Sequence, residues 1–293
     1  MAVYLAVAEE ESFAGGARRL GMSPPAVTRA IASLEQRLGV RLLTRTTRVV
    51  RATDAGLRYL EHARRLIAEA DEADESAAGV HAAPRGQLAI TAPVLFGRMF
   101  VMPGIVEYLR RFPDVAISAV FLDRVVNLLE EGMDVGVRIG DLPDSTMRAT
   151  GVGHVRRVVC AAPAYLKAHG TPRVPADLAK HAVITATAVS TSFDWKFVAG
   201  KKVVGVSVKP RLTVTNNEAA IVAAVQGFGV TRLLSYQIEP YLASGQLKVI
   251  LSDHEPPRLP VHVLHREGRQ APAKVRTFVD LLVERLRKDK TLA

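Results

Sequence analysis

Pro25, Thr28, Arg29 and Ser33, with Ala32 and Gln36, fall on one face of a short helical segment near the start of this 293-residue chain. Val27, Ile31, Leu34 and Leu38 recur every three or four residues on the opposite face and predict a buried stripe. The first face is small or hydrogen-bonding, with a guanidinium close to the helix start. Such a face can approach base edges in the DNA major groove without steric conflict, offering a fork of donors and several hydroxyls. Ser23 stands where an N-cap belongs, and Pro24 suits the first helical position. A plain αα-hairpin would show the same stripe, so the segments around it must decide.

The segment after the helix, Arg41–Thr53, carries arginines at 41, 45, 48 and 51 and no acid. Its β-branched residues flank a polar turn, which predicts a small hairpin or wing. Arg45, Thr46, Thr47 and Arg48 at the tip suit phosphate oxygens, by charge and by hydroxyl donation. Residues 16–65 hold eleven arginines against Glu35, Asp54 and Glu61. A solvated surface normally mixes signs, so this one-sided segment reads as an electrostatic footprint for nucleic acid. From 66 to 78 the sign reverses, with Glu69, Asp71, Glu72, Asp74 and Glu75 unaccompanied by any base.

The elements that position these residues are a helix-turn-helix and a second, longer helix. Thr53 or Asp54 can cap the latter, and Leu60, Ala63, Ile67, Ala70 and Ala77 form a thin apolar seam. From Asp54 to Ala78 it would span about 37 Å. A long helix with one narrow seam commonly pairs with a copy of itself. Two reading heads at fixed spacing would result. His81–Gly86 holds two breakers and reads as a hinge.

From Leu88 short strands alternate with helices, the pattern of an α/β sheet. Strands are predicted at 88–92, 115–120, 135–139, 182–185, 203–208, 230–233, 247–251 and 261–265. Helices are predicted at 98–111, 125–131, 218–226 and 273–287. Two such sets with a return crossing predict two lobes, joined by hinge strands near 157–161 and 263–266. Small ligands bind such sheets where strands end and helices begin.

Ser-Phe-x(3)-Ala-x(2)-Leu-x(2)-Ser-x-Pro-Ala-Val-x(3)-Ile-x(2)-Leu-Glu-x(2)-Leu-Gly-Val, followed by Arg-Thr-Thr-Arg and Thr-Asp-Ala-Gly, resembles the LysR-type transcriptional regulators. Asp123–Val126, Glu130–Val135 and Arg138-Ile139-Gly140 extend the resemblance into the second half. The resemblance implies an N-terminal winged helix-turn-helix (1–53), a dimerisation linker helix (54–79) and a hinge (80–87). An α/β effector domain (88–293) follows, resembling type 2 periplasmic binding proteins. One lobe would comprise 88–160 and 266–293, and the other 161–265. The implied partners are double-stranded DNA, a small-molecule effector, a second copy of the chain as dimer or tetramer, and RNA polymerase. Ser23, Pro25, Thr28, Arg29 and Ser33 would face DNA together with the wing residues. The effector cleft would be lined by Pro93, Val94, Leu95, Phe96 and Gly97, by Asp123 and Arg138, and by Asn216, Asn217 and Phe228. Gly15 and Gly16 replace the alanines usual in the family, which is expected to weaken the first helix of the motif by up to about 1 kcal/mol each.

The net charge of +10 favours an anionic partner. No apolar run reaches membrane-span length and the start lacks a signal-peptide pattern, so a cytoplasmic protein is expected. Catalysis is not expected. Cys160 is the one cysteine and lies in an apolar run, His262 and His265 point to opposite faces of a predicted strand, and neither a nucleophile elbow nor a phosphate-binding glycine loop occurs. No metal or cofactor is expected beyond the effector. Replacing Arg45 and Arg48 together by Ala should lower affinity for all DNA sequences alike and flatten its salt dependence, measured by anisotropy across a salt series. A loss of discrimination between sites would instead make the wing a base reader.

Overall fold

The computed structural model describes residues 1–293 apart from 46–49, 79–82, 125, 143–146, 188–192, 201, 266–270 and 293. Contacts divide the chain into two units, Met1–Ala82 and Ala83–Ala293. Part of the expected hinge, residues 80–82, lies outside the described residues.

The first unit opens with α1 (Ala2–Glu9), α2 (Phe13–Leu20) and α3 (Pro24–Leu38). Ser12 caps α2 by accepting from the Gly15 N–H at 3.1 Å. Gly21 and Gly39, at φ of 61° and 67°, end α2 and α3 in the left-handed region. Val27, Ile31 and Leu34 are buried against Tyr4, Val7 and Leu42. Leu38, expected in the same stripe, is instead 40% exposed. It is the last residue of α3, and the turn at Gly39 carries the chain away before anything covers it. β1 (Leu43–Arg45) and β2 (Val50–Ala52) pair antiparallel as the stem of the wing. The Glu35 carboxylate of α3 accepts from the Leu42 and Leu43 N–H groups at 2.7 and 3.0 Å, tying the strand to the helix. The Thr53 hydroxyl donates to the Arg41 carbonyl and accepts from the Gly56 N–H, and α4 (Asp54–Ala78) starts there.

The second unit starts with β3 (Gly86–Ala92). A continuous helical run follows: α5 (Val94–Phe96), a π-helical turn Gly97–Val101 and α6 (Met102–Arg111). Next come β4 (Val115–Phe121), β5 (Val135–Ile139), β6 (Arg148–Val155), β7 (Arg157–Ala161), α7 (Pro163–His169) and β8 (Val183–Ala186). β9 (Asp194–Ala199) and β10 (Lys202–Ser207) form a separate antiparallel hairpin. The chain continues through β11 (Pro210–Val214), α8 (Asn217–Val225), β12 (Val230–Leu234), α9 (Ser235–Ala243), β13 (Lys248–Ile250), β14 (Leu259–His265) and α10 (Ala273–Lys288).

Two five-stranded sheets result, ordered β4-β3-β5-β14-β6 and β11-β8-β12-β7-β13. β3, β4 and β5 are parallel, as are β8, β11 and β12, whereas β14 and β7 run against their neighbours. The lobe boundaries differ from those expected. Residues 157–161 belong to the second sheet, with Cys160 opposite both Thr231 and Val249, and residues 259–265 belong to the first. An apolar strand does not declare its partners in its own composition; pairing decides the sheet. The helix expected over 125–131 is absent from its described residues. The Asn127 side chain accepts from the Leu129 N–H at 3.1 Å, so the backbone there forms turns.

The glycines of α2 have a packing role. A Cβ at Gly16 would lie 2.8 Å from the Val7 side chain and 3.0 Å from its backbone nitrogen, so only glycine lets α2 seat on α1. Gly16→Ala should therefore destabilise the first unit by about 1–3 kcal/mol through overpacking, despite alanine's better helix propensity. Urea unfolding of the two proteins checks this; an unchanged or higher midpoint would refute the close-approach account.

Candidate functional site

Two surfaces carry chemistry, one on each unit. On the first, Ser23, Pro25, Thr28, Arg29 and Ser33 are all exposed on α3, opposite its buried stripe. Thr28 donates its hydroxyl proton to the Pro24 carbonyl at 3.0 Å, leaving its oxygen lone pairs and methyl outward. Ser23 occupies the N-cap position, yet its side chain makes no capping bond. Pro24 and Pro25 have no N–H to offer, and Ala26 and Val27 donate to the Ser23 carbonyl instead. The Ser23 hydroxyl is thus left for another partner. Arg45 ends β1, while Thr46, Thr47 and Arg48 lie outside the described residues.

The second surface is a cleft of about 440 Å³ between the two sheets. The carboxyl ends of parallel strands meet here, through Pro93, Asp123 and Ile139 from one sheet and Ala186, Asn217 and Leu234 from the other. The reversed strands contribute their amino ends, Arg157 of β7 and Leu259 of β14. The lobes are also joined across the cleft. Tyr236 stands edge-on to Phe96 at 5.3 Å and to Phe100 at 5.7 Å, and Arg98 pairs with Glu218.

Most of the expected cleft residues have structural partners. Asp123 accepts from the Val94 N–H at 3.0 Å, closing the start of the α5 run. Arg138 donates to the Val137 and Val126 carbonyls at 2.9 and 3.1 Å, and burial pushes its pKa down although the Glu131 charge opposes that. Pro93, Asp123, Arg138 and Asn217 line the cleft. Leu95, Phe96 and Gly97 are packed in the core, where the Phe121 ring fills the space a Gly97 side chain would need. Asn216 caps α8 by accepting from the Ala219 N–H at 2.8 Å. Phe228 lies outside the cleft, half-exposed beneath the Arg211 guanidinium.

Arg157, Trp195, Lys196 and Arg232 line the cleft without having been expected there. The Arg232 guanidinium sits over the Trp195 ring, 4.8 Å from its centroid, and its buried Nη1 has no hydrogen-bond partner. Burial, then the charge of Arg157, push the Arg232 pKa down to about 9. Burial lowers that of Arg157 as well. Each is the one charged residue of a short strand, Arg157 at the start of β7 and Arg232 within β12.

Among the described residues no cluster of His, Cys, Asp and Glu could hold a metal ion, and no helix is long and apolar enough to cross a membrane. A family model described as the LysR substrate binding domain matches residues 81–287, and one described as the bacterial regulatory helix-turn-helix protein, lysR family, matches residues 1–57. An HTH-type transcriptional regulator of Xanthomonas campestris pv. campestris is 32% identical, over 98% of this chain and 85% of its own. The HTH-type transcriptional regulator PtxR of Pseudomonas aeruginosa is 33% identical, over 97% of this chain and 91% of its own. The solved structure of CrgA, a LysR-type transcriptional regulator from Neisseria meningitidis, superposes with a TM-score of 0.63 at 29% identity, covering 97% of each chain.

Cys160 is fully buried, and burial pushes its thiol pKa up to about 12. The thiolate is therefore negligible at neutral pH. A thiol reagent at pH 8 should label Cys160 only on unfolding, and labelling of the native protein as fast as a free thiol would overturn this placement.

Proposed function

The chain belongs to the LysR family of bacterial transcriptional regulators, and on that premise we propose that it binds an interrupted DNA palindrome as a homo-oligomer whose DNA affinity or geometry is set by a small molecule in the inter-lobe cleft. One observation carries the reading. α3 presents Pro25, Thr28, Arg29 and Ser33 outward over an inner face buried at Val27, Ile31 and Leu34, within a unit whose basic charge is concentrated on its first 65 residues. Short polar side chains let the helix sink into a major groove, and Arg29 can bond a guanine edge in two places. β1 and β2 set the wing beside it for phosphate contact. Ala63 is buried and Leu60 packs on the first unit's own core, but Leu57 and Leu66 of α4 stay exposed, and α4 would supply the pairing element that places two heads a helical turn or a multiple of it apart.

The cleft supplies the switch. A ligand that fits one arrangement of the two lobes better than the other shifts the balance between them by its difference in affinity. Of the chemically able groups, Cys160 is buried and Asp123 is engaged with the Val94 N–H, which supports a binding role for the cleft. We place the protein in the cytoplasm with its DNA.

Selection of bound fragments from a random DNA pool at fixed salt, using the full-length protein, tests the reading. An interrupted palindrome should emerge, and Arg29→Ala should weaken its binding by about 1–3 kcal/mol while leaving oligomeric state unchanged. An enriched pool without symmetry, or operator affinity indifferent to Arg29, would sink it.

A further inference from the structure

The cleft is electrostatically one-sided. Its described lining includes Arg124, Arg138, Arg157, Lys196 and Arg232 against Asp123 and Asp194. Some of these cations are already engaged. Arg124 forks onto the Glu131 carboxylate and Arg138 is bonded to two backbone carbonyls. Arg156, next in sequence to Arg157, pairs with Glu255 at 3.1 Å and lies outside the lining. Arg157 and Arg232 have no acidic partner among the described residues.

Strand register brings these two together. In the antiparallel pair of β7 and β12, Arg157 lies opposite Leu234 and Val159 opposite Arg232. Alternation along each strand then places Arg157 and Arg232 on one face as diagonal neighbours, within reach of long side chains. Val159 and Val230 share that face, and Trp195 of β9 packs with them in a buried cluster. Both guanidiniums are poorly hydrated at the edge of an apolar cluster, so burial lowers the pKa of each, and the neighbouring Arg157 charge lowers that of Arg232 further. Trp195 satisfies one face of the Arg232 guanidinium, but its buried Nη1 donor stays unbonded. A buried donor without an acceptor is costly, and a bidentate oxyanion is the group whose geometry matches two guanidinium edges.

We propose that Arg157 and Arg232 form an oxyanion subsite of the cleft, and that the ligand is a small organic anion whose carboxylate or phosphate they hold. Lys196, at the rim, adds long-range attraction. The cavity of about 440 Å³ is in the range for small organic ligands and far exceeds an inorganic anion. Pro93, Ile139 and Leu259 offer apolar wall for the remainder of the molecule. This inference rests on the cleft being the regulatory site, as set out above.

Trp195 is the single tryptophan of the chain and lies directly beneath Arg232, so its emission reads the subsite and no other part of the molecule. Full-length protein is titrated with succinate, citrate and glycerol phosphate, each against sodium chloride at matched ionic strength, with succinamide as the neutral control. A saturable change in emission is expected with the organic anions and none with chloride or succinamide. Response to the carboxylates alone assigns a carboxylate subsite, and response to glycerol phosphate alone a phosphate subsite. Arg157→Gln, which leaves the tryptophan and its stacked arginine in place, should weaken the response by about tenfold or more. Arg232→Lys keeps the charge, loses the fork and should weaken it too, so either variant can decide if the other fails to fold by circular dichroism. Absence of a saturable response to all three anions, or equal affinity in a folded Arg157→Gln protein, overturns the proposal. Anion binding that leaves the affinity for the selected DNA unchanged supports the subsite and counts against the regulatory reading alone. Selection of a palindrome by a protein blind to all three anions removes the subsite alone.

Discussion

Two strands run against their neighbours, β7 between β12 and β13 and β14 between β5 and β6, because the chain crosses from one sheet to the other at Arg156 and returns before Leu259. The cleft depends on that double crossing. Parallel strands bring their carboxyl ends, with the helix starts that follow, to one edge of each sheet. A strand inserted in reverse brings its amino end to the same edge. Pro93, Asp123 and Asn217 therefore reach the cleft from strand exits, and Arg157 and Leu259 from strand entrances. The crossing is itself fastened: the Arg156 N–H donates to the Ser235 hydroxyl, the Ser235 N–H donates to the Arg156 carbonyl, and the guanidinium pairs with Glu255.

The two surfaces treat positive charge differently. On α3 the guanidinium of Arg29 stands in water and keeps its solvation. Long-range attraction is the main consequence, and it is sensitive to salt. In the cleft Arg157 and Arg232 are half-buried beside one another, and part of their hydration has already been given up in folding. A partner that meets them there gains a stronger interaction per contact because less water has to be displaced. Trp195 makes the arrangement tolerable by offering its π face to one of the pair.

The first unit depends on close backbone approach more than on side-chain bulk. Gly16 lets α1 and α2 touch, Glu35 binds the strand that begins the wing, and Thr53 joins that strand to α4. Each fixes the angle at which α3 presents its outer face. Residues far from the exposed side chains of α3 thereby set their position.

Local patterning determined much by itself. The 3.6-residue spacing of Val27, Ile31 and Leu34 defined both the buried and the free face of α3, and the alternation of short strands with helices defined an α/β second half in two lobes. Residues 54–78 form one helix because capping at Thr53 and uninterrupted helix-forming residues are local properties. Long-range pairing lies beyond that reach. Only the tertiary structure decided that residues 157–161 and 259–265 exchange sheets, that Phe96 and Gly97 are core, that Asn216 serves its own helix, and that Arg157 and Arg232 share one face with Trp195 packed against it. Their contacts join residues far apart in the chain, and no window of sequence contains both partners of such a contact.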